Sequence, residues 1–412
     1  MITAFEPMTA ALQDVVVLDL SRVLAGPWST QNLADLGADV IKVERPVVGD
    51  DTRHWGPPFA TDRNGAPGDA AYFFCTNRGK RSLTLDFTLE EGRAALLELV
   101  KKADILVENY KVGGLKKYGL DYETLSQLNP GLIYCSITGF GQTGPYAARP
   151  GYDALIQAMG GLMSITGEPD DVAGGGPQKV GVAVVDILTG LYATSAILAA
   201  LYHRTKTGQG QHIDIALLDV QVATLANQAS NFLVGGQVPG RLGSAHPSIV
   251  PYQPFACADG HVMLAIGNDT QFANLCRAAG CAELAGDARY SSNAARVQNR
   301  AQLVPLLQQR FLLKTIDQWC ELATQHGFPC GPINTVDRVF DDAQVQARRM
   351  RVEVESERYG SVGLVASPMR FSQTPVQYDA APPVLGEHTE QVLAGLGVDA
   401  ERLDELRRLK AI

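Results

Sequence analysis

One long apolar stretch, residues 180–201, contains a single charged side chain, Asp186. Its sequence, VGVAVVDILTGLYATSAILAAL, places apolar residues on every face of a helix after Asp186, which predicts a helix buried all round. The stretch is nearly long enough to cross a bilayer. An acidic residue, two glycines and the lack of a second such stretch argue against a membrane span. We therefore expect a core helix with one carboxylate near its start.

Asp186 has two compatible interpretations. It follows a strand-like VAVV run, and aspartate is favoured as the N-cap where a helix begins. A helix N-terminus also stabilises an ionised carboxylate, while apolar surroundings keep water away from it. A charged, poorly hydrated carboxylate facing a cleft is suited to nucleophilic attack. The sequence leaves both roles open.

Length, charge and cysteine content set limits on the class of protein. A chain of 412 residues is expected to form two or three domains. Its net charge of −9 argues against nucleic acid or an anionic membrane as a partner, but not against a small anion bound by local Arg and Lys. The seven scattered cysteines without a CxxC pair indicate reduced thiols, and the N-terminus lacks a targeting pattern. We expect a cytoplasmic protein.

Predicted strands and helices alternate along the first half. The strands are predicted at 15–20, 40–44, 82–87, 105–110, 132–138 and 212–216, with helices at 28–36, 89–101 and 122–128. This alternation predicts an α/β fold with a parallel sheet and helices on both faces. Ligands of such sheets bind beyond the carboxyl ends of the strands, where Arg45, Asn109 and Lys111 lie.

The second half has a different pattern. A helix is predicted at 219–233, followed by a Gly- and Pro-rich loop at 235–251. Asp259-Gly260 between two apolar runs is a strong hairpin signal, and helices follow at 270–279, 301–313 and 315–326. These features predict a smaller α+β unit.

Common catalytic motifs are absent from the sequence. No P-loop, HExxH, EF-hand or GxSxG pattern is found, so ATP, metal and serine-hydrolase chemistry are unsupported. Residues 139–144 match GxGxxG, but Pro145 and Pro150 prevent a helix from starting there, which favours a loop that shapes a cleft. A basic cluster has two open interpretations, a solvated surface or a phosphate-binding rim; it comprises Lys42, Arg45, Arg78, Lys80 and Arg81.

Several segments together resemble the class III CoA-transferases, the family of formyl-CoA transferase and carnitine CoA-transferase. They include VLAGPWSTQNLADLGADVIKVERP, NRGKRSLTLDF, ILVENYKVGGLKKYGLDYETLSQLNPGLIYCSITGFGQTGPY, GYDALIQAMGGLMSITG, KTGQGQHIDIALLD, PYQPF and GFPCGPI. The resemblance implies a Rossmann-like large domain formed by residues 1–220 and 331–412, and a small α+β domain at 225–330. It also implies a homodimer in which two chains are threaded through each other as linked rings.

The resemblance places the family's catalytic aspartate at Asp186. The family's CoA-contacting positions map onto Leu24, Ala25, Arg45, Leu85, Asp86, Asn109, Tyr110, Lys111 and Lys117. Arg78 of the basic cluster, and Tyr152 and Asp153 after the loop, are further CoA-binding candidates. Coenzyme A is expected as part of the substrate, without a permanently bound cofactor or metal.

The implied activity is transfer of CoA from an acyl-CoA to a carboxylic acid through an aspartyl-CoA thioester. Residues 49–59 and 241–253 look most like members that handle dicarboxylates, for which succinyl-CoA is a common donor. Arg241 and His246 are candidates for binding the distal carboxylate of a dicarboxylic acid, or they lie on a surface loop.

Three alternatives accompany this interpretation. α-Methylacyl-CoA racemases resemble the chain, but they use a His-Asp pair where this sequence has Tyr152, and a tyrosine hydroxyl does not act as the same base near neutral pH. Transfer between two carboxylates of one molecule would use the same chemistry. A non-catalytic CoA-binding protein would tolerate loss of the Asp186 carboxylate, whereas a transferase would not.

Overall fold

Strands and helices alternate along the first part of the chain. The computed structural model describes residues 10–412. Its strands are β1 (Val16–Asp19), β2 (Asp39–Glu44), β3 (Phe59–Thr61), β4 (Pro67–Ala70), β5 (Lys80–Thr84), β6 (Ile105–Glu108), β7 (Ile133–Thr138), β8 (His212–Ala216), β9 (Tyr252–Ala256), β10 (His261–Ala265), β11 (Cys330–Pro332), β12 (Arg351–Ser356) and β13 (Gly360–Val365).

The helices of the described residues vary from one turn to seven. They are α1 (Ala25–Asp35), α2 (Ala71–Phe74), α3 (Glu90–Lys102), α4 (Tyr122–Leu128), α5 (Asp153–Met159), α6 (Leu162–Ile165), α7 (Val184–Thr207), α8 (Leu217–Thr224), α9 (Ala226–Gly235), α10 (Asp269–Ala278), α11 (Glu283–Gly286), α12 (Asn293–Gln298), α13 (Arg300–Phe311), α14 (Ile316–His326), α15 (Val336–Asp341), α16 (Ala343–Ala347), α17 (Thr389–Ala394) and α18 (Ala400–Arg408). Short 3-10 turns lie at Asp51–His54 and Lys116–Tyr118.

The chain divides into two compact units. The first contains the residues up to 161, together with 180–229 and 343–412. The second contains Leu162–Lys179 and Ser230–Asp342. The segment 162–179 belongs to the second unit, although the sequence analysis assigned it to the first part of the large domain.

The first unit is built on a six-stranded sheet with the order β5-β2-β1-β6-β7-β8, in which every neighbouring pair is parallel. Short runs of Val, Ile and Leu form these strands because parallel strands are buried on both faces. One face packs against α3, α4, α17 and α18, and the other against α1, α5 and α7. The predicted α/β class with a parallel sheet is confirmed.

Helix α7 is buried on one side only. The prediction that it is buried all round is wrong for the single chain, since Tyr192 is 48% and Tyr202 65% exposed. By length and composition alone α7 could cross a membrane, and 44% of its most apolar 18-residue stretch is buried inside the protein. Its buried side packs closely on α1. A Cβ at Gly190 would lie 2.7 Å from the Ala25 carbonyl oxygen, so only glycine permits this approach.

The second unit has its own core. Its three strands have the order β11-β10-β9, and the predicted Asp259-Gly260 turn joins β9 to antiparallel β10. Phe311 stacks on Phe255 and on Trp319, with ring centroids 4.6 and 4.2 Å apart. This aromatic stack lies between the hairpin and helices α13 and α14.

The last residues of the chain return to the edge strand β5 of the first unit. The His388 amide donates to the Ser82 carbonyl at 3.0 Å, and the Thr84 amide donates to the Thr389 hydroxyl at 3.0 Å. The Asp86 amide donates to the Ala411 carbonyl at 2.8 Å. All seven cysteines lie within the described residues and have free thiols.

Candidate active site

A cleft of about 440 Å³ opens at the carboxyl ends of strands β1, β6 and β7 in the first unit. Loops that follow strands of a parallel sheet converge at this edge, which is why the cleft forms there. Its lining includes residues 22–25, 51, 55, 109–112, 114, 137–139, 147–152, 186 and 217. The structure therefore brings together seven predicted residues: Leu24, Ala25, Asn109, Tyr110, Lys111, Tyr152 and Asp186.

Asp186 faces this cleft from the first turn of α7. The helix begins at Val184 with Ala183 at the N-cap position, so Asp186 is the third helical residue and the N-cap interpretation is wrong. No hydrogen-bond donor within residues 10–412 contacts its carboxylate. Burial raises the pKa of Asp186 to about 7, and the charge of Asp153 raises it further in the same direction. The carboxylate is thus unpaired, poorly hydrated and basic.

Asp153 does not line the cleft. Its role in binding CoA stays a prediction, and its contacts in the structure are to the chain itself. One of its oxygens, Oδ1, accepts a hydrogen bond from the Val185 amide at 2.9 Å. The other, Oδ2, accepts from Gln157 Nε2 at 2.6 Å. Asp153 therefore satisfies a free amide at the start of α7, as a capping residue would, but from helix α5.

Arg22 and Asn109 form the mouth of the cleft. The Arg22 amide donates to Asn109 Oδ1 at 3.0 Å, and Asn109 Nδ2 donates to the Arg22 carbonyl at 2.7 Å. These reciprocal bonds tie the loop after β1 to the loop after β6. The Arg22 guanidinium pairs with Asp51 at 3.1 Å, with both side chains nearly half exposed. The sequence analysis missed Arg22, although its place directly after a strand could have indicated it.

The loop between β1 and α1 has a strained backbone. Val23, a β-branched residue, has φ of +70°, a conformation unfavourable for such a side chain. Both oxygens of Asp50 accept from the Val23 amide at 3.2 Å. Asp50 is itself paired with fully buried Lys42 at 2.9 Å, and this pairing outweighs burial and holds the pKa of Asp50 well below its usual range. A buried ion pair thus fixes one wall of the cleft.

A second cavity of about 200 Å³ adjoins the cleft and shares Arg22, Asp51 and Tyr110 with it. Its lining includes Arg45, Leu85 and Asp86, the other predicted CoA contacts of the first strands. Arg45 is exposed. The two cavities therefore lie next to each other at the same edge of the sheet.

The rest of the basic cluster does not form a phosphate-binding rim. Arg78 donates to Asp35 from Nε at 2.8 Å and Nη2 at 2.6 Å, and it lines a different cavity from the cleft. Its role as a CoA contact stays a prediction. Lys80 pairs with Asp19 at 2.9 Å in the core, and burial lowers its pKa to about 8. Arg81 pairs with Asp39. Each of these cations is therefore already paired with a carboxylate of the chain.

Lys117 and the 139–144 loop differ in their relation to the cleft. Lys117 lies on the 3-10 turn with its Nζ 4.6 Å from the Tyr118 ring centroid, and it lines neither cavity. The 139–144 loop contributes Gly139 to the cleft lining, and no helix begins within the loop. A Cβ at Gly139 would lie 2.6 Å from Gly151 Cα, so the two glycines let the loop fold back on itself.

Arg241 and His246 lie in the second unit. Arg241 pairs with Asp170 and donates from Nε to the Glu168 carbonyl at 3.1 Å. His246 packs on Tyr252 with ring centroids 5.3 Å apart. Their role in binding a distal carboxylate stays a prediction.

A buried acid that the sequence analysis missed supports the 109–112 turn. Glu108 Oε2 accepts from the Tyr110 amide at 2.7 Å, and burial raises the pKa of Glu108 to about 7. Its neighbour Ser136 shares a 3.0 Å hydrogen bond with His212 Nε2. Among residues 10–412, no group of three or more His, Cys, Asp or Glu is arranged to hold a metal ion.

Comparison with known proteins identifies similar sequences and structures. A sequence model of CoA-transferase family III matches residues 12–389. The succinate–glutarate CoA-transferase of Agrobacterium fabrum is 52% identical over 385 residues, covering 93% of this chain and 95% of that protein. The mouse succinyl-CoA:glutarate CoA-transferase is 45% identical, covering 93% and 85%. A crystal structure of a CaiB/BaiF family protein from Brucella suis aligns with a TM-score of 0.84 and 52% identity, covering 94% of this chain and all of that one.

Proposed function

The chain belongs to CoA-transferase family III, and from this membership we propose that it moves CoA from succinyl-CoA to another dicarboxylic acid with Asp186 as the covalent nucleophile. Family membership and the similarity to CoA-transferases over nearly the whole chain establish the reaction class. The nucleophile, the donor and the acceptor are the parts that we add.

The unpaired carboxylate of Asp186 in the cleft is the observation that supports the proposal. It shares that cleft with Leu24, Ala25 and the 109–111 turn, to which the family's CoA-contacting positions map. A carboxylate held by hydrogen bonds or an ion pair would be a weak nucleophile, but this one has neither within the described residues.

The proposed reaction has four acyl-transfer steps, in which Asp186 is part of an anhydride, then of a CoA thioester, then of a second anhydride. An oxygen of Asp186 attacks the thioester carbonyl of the donor, and the C–S bond breaks to give an acyl-aspartyl anhydride and CoA thiolate. The thiolate then attacks the aspartyl carbonyl, which forms an aspartyl-CoA thioester and releases the donor acid. The acceptor carboxylate attacks this thioester and regenerates an anhydride and thiolate. The thiolate finally attacks the acceptor carbonyl, which releases the new acyl-CoA and the Asp186 carboxylate.

The chain's contribution is binding, orientation and exclusion of water. One thioester replaces another, so no external energy source is required, and catalysis rests on holding the partners in register. Arg45 and Arg22 supply positive charge along the path at which the diphosphate of CoA would lie. The reciprocal Arg22–Asn109 hydrogen bonds hold this path in place before the substrate binds.

The choice of substrates follows the relatives. The Agrobacterium and mouse proteins are named for succinate or succinyl-CoA and glutarate, and a Haloarcula hispanica relative, 39% identical, is named for succinyl-CoA and mesaconate. We propose succinyl-CoA as the donor and glutarate as the first acceptor to test. The racemase alternative would require a histidine at position 152, where this chain has Tyr152. The side chain of Tyr152 is largely exposed.

The proposal extends to the assembly. The resemblance implies a dimer of linked rings, and α7 leaves Leu191, Tyr192 and Tyr202 exposed on its outer side. Large apolar side chains grouped on one helix face are typical of surfaces that a partner covers. We propose that a second copy of this chain covers this face.

Trapping the covalent intermediate tests the assignment of Asp186. In wild-type protein given succinyl-CoA alone, hydroxylamine should convert Asp186 to a hydroxamate that peptide mass spectrometry detects. Labelled succinate should exchange into succinyl-CoA without an acceptor, as double displacement requires. Asp186→Asn should bind CoA but lose transfer by at least about a thousandfold.

A matched control separates chemistry from folding. Asp399 is the N-cap of α18 and accepts from the Arg402 amide at 2.9 Å, outside the cleft. Asp399→Asn should keep full transfer and melt within a few degrees of wild type because Asn is also an effective cap. Asp186→Asn should also melt close to wild type, because its carboxylate accepts no hydrogen bond within the described residues. Substantial turnover by Asp186→Asn, or no modified peptide containing residue 186, would refute the assignment.

A further inference from the structure

Two hydrogen bonds connect helix α5 to the segment that leads into α7, and a third, within α5, links the two side chains that make them. Val185 donates to Asp153 Oδ1, Gln157 donates to Asp153 Oδ2, and the Val180 amide donates to Gln157 Oε1 at 2.9 Å. Gln157 is completely buried and Asp153 nearly so. The segment that leads into α7 is therefore fixed at both of its ends by side chains of one neighbouring helix.

The two carboxylates of this region differ in their surroundings. Both oxygens of Asp153 are occupied by donors, which fixes its orientation. Asp186 lies one residue after Val185, the residue that Asp153 holds, and it has no donor of its own within the described chain. One acid thus holds the helix end, while the other projects free into the cleft.

We propose that Asp153 is the positioning residue for Asp186, because it fixes the first turn of α7 from helix α5 and opposes Asp186 with a second negative charge. This inference rests on the proposed role of Asp186 as nucleophile. It gives Asp153 a part in the transfer reaction without contact with substrate.

The charges around Asp186 support this role. Asp153 of α5 raises the pKa of Asp186 in addition to the larger effect of burial. From α2 the neighbouring titratable group is Tyr72, whose own pKa is raised to about 12 by burial, by Cys75 and by Asp186. Besides burial and Asp153, no group of the described chain contributes to the raised pKa of Asp186, although Arg22, Asp51, Lys111 and Arg149 also line the cleft.

The repulsion between the Asp153 and Asp186 carboxylates changes in the course of the reaction. It acts while Asp186 is an anion and disappears once Asp186 is acylated or bonded to CoA, because the anhydride and the thioester of Asp186 carry no charge on that side chain. The opposing charge therefore raises the nucleophilicity of Asp186 and favours the step in which it attacks.

Titration of Asp186 by chemical labelling tests the inference without using activity. A carbodiimide with glycinamide modifies protonated carboxyl groups, and mass spectrometry of the peptide spanning 180–201 reports modification at residue 186 between pH 5 and 9. Wild type should show half-maximal labelling near pH 7. Asp153→Asn keeps an acceptor for the Val185 amide but removes the charge, so its midpoint should fall by about one pH unit.

Two further variants make the result decisive. Asp399→Asn, the same change at the N-cap of α18, should leave the midpoint at residue 186 unchanged. Asp153→Ser, which also keeps a capping oxygen without charge, should reproduce the shift of Asp153→Asn and replaces it if that variant does not fold. Equal midpoints in wild type and both Asp153 variants would overturn the inference.

The pH dependence of transfer separates this inference from the proposed function. Transfer by wild type should rise with pH and level off above about pH 7, since only the ionised form of Asp186 attacks. In Asp153→Asn this rise should move to lower pH together with the labelling midpoint, and the plateau rate should fall by about tenfold. A shifted labelling midpoint with an unshifted rate profile would support the placement of Asp153 and reject Asp186 as the nucleophile.

Discussion

Cationic residues of the first unit fall into two groups according to their partners. Lys42 and Lys80 are buried and paired with aspartates, and Arg53 is buried between Glu44 and Asp69. Arg22 and Arg45 instead reach the two cavities from the surface. A lysine next to a strand looks the same in sequence whether it ends in solvent or against a buried carboxylate. Of the two interpretations left open for the basic cluster, a phosphate-binding rim therefore fits Arg45 best, since Lys42 lines the same cavity but is paired with Asp50.

Arg22→Ala should weaken binding of acyl-CoA more than it slows chemistry. Loss of one charge-assisted contact to a phosphate should raise KM for the acyl-CoA about tenfold with kcat nearly unchanged. The melting temperature should stay within a few degrees, because the Arg22–Asp51 pair is exposed and contributes little. Steady-state kinetics with succinyl-CoA and thermal unfolding provide both readouts.

A comparable surface pair provides the control for this change. Arg63 pairs with Glu355 at 3.6 Å, with both side chains more than half exposed and outside both cavities. Arg63→Ala should match wild type in KM and stability. If Arg22→Ala also keeps the wild-type KM, Arg22 is a surface residue without a role in binding.

Helix α7 connects the sheet, helix α1 and the cleft. Its contact with α1 depends on Gly190, and α1 in turn presents Leu24 and Ala25 to the cleft. The Ser29 and Thr194 hydroxyls meet at 3.1 Å across the same contact. The spacing of these two helices therefore determines how far Asp186 lies from the loop that follows β1.

Gly190→Ala should separate the two helices and destabilise the fold. The added Cβ would meet the Ala25 carbonyl oxygen at 2.7 Å and the Trp28 side chain at 3.0 Å, contacts that require a backbone shift. We expect a loss of about 1–3 kcal/mol in the free energy of unfolding. Gly286→Ala, at the end of α11 with open space around the new Cβ, should be neutral or slightly stabilising. Chemical denaturation that gives equal stabilities for both variants would contradict this account of the contact.

The bounds of the helices and strands show which parts of the fold can be predicted from the sequence. Helix α4 and strand β8 match their predicted bounds because a clear period and a cap or turn mark both ends. The helix predicted at 219–233 is two helices, since Ala226 has φ of +47° and breaks the run. The sequence around Ala226 contains no Gly or Pro that would predict the end of one helix and the start of another. In the same way, the sequence shows Asp186 as the single charged residue of an apolar stretch. The hydrogen bonds of Asp153 could not be predicted, because they depend on how helices α5 and α7 pack.

Considered as a whole, the molecule exposes apolar side chains that a partner would cover. Besides α7, Leu155 and Met159 of α5 and Val222 of α8 are each more than 40% exposed. The proposed interlinked dimer would bury far more area than a standard interface of about 1,600 Å².

The dimer should persist on dilution. Sedimentation at nanomolar concentration should show one species with the mass of two chains, because linked rings cannot separate without unfolding. The same result is expected for Asp186→Asn, whose substitution lies in the cleft and not on the outer side of α7. A reversible monomer–dimer equilibrium in this range would rule out interlinking.

The return of the last residues to strand β5 has a consequence for biosynthesis. Thr84 and its hydrogen-bond partner Thr389 are separated by 305 residues, which take about half a minute to translate at about 10 residues per second. Throughout that interval the ribosome has released β5 but not the segment that binds it. For the interlinked dimer proposed above, the threading of one nascent chain through another must occur before this segment docks, since docking closes the ring.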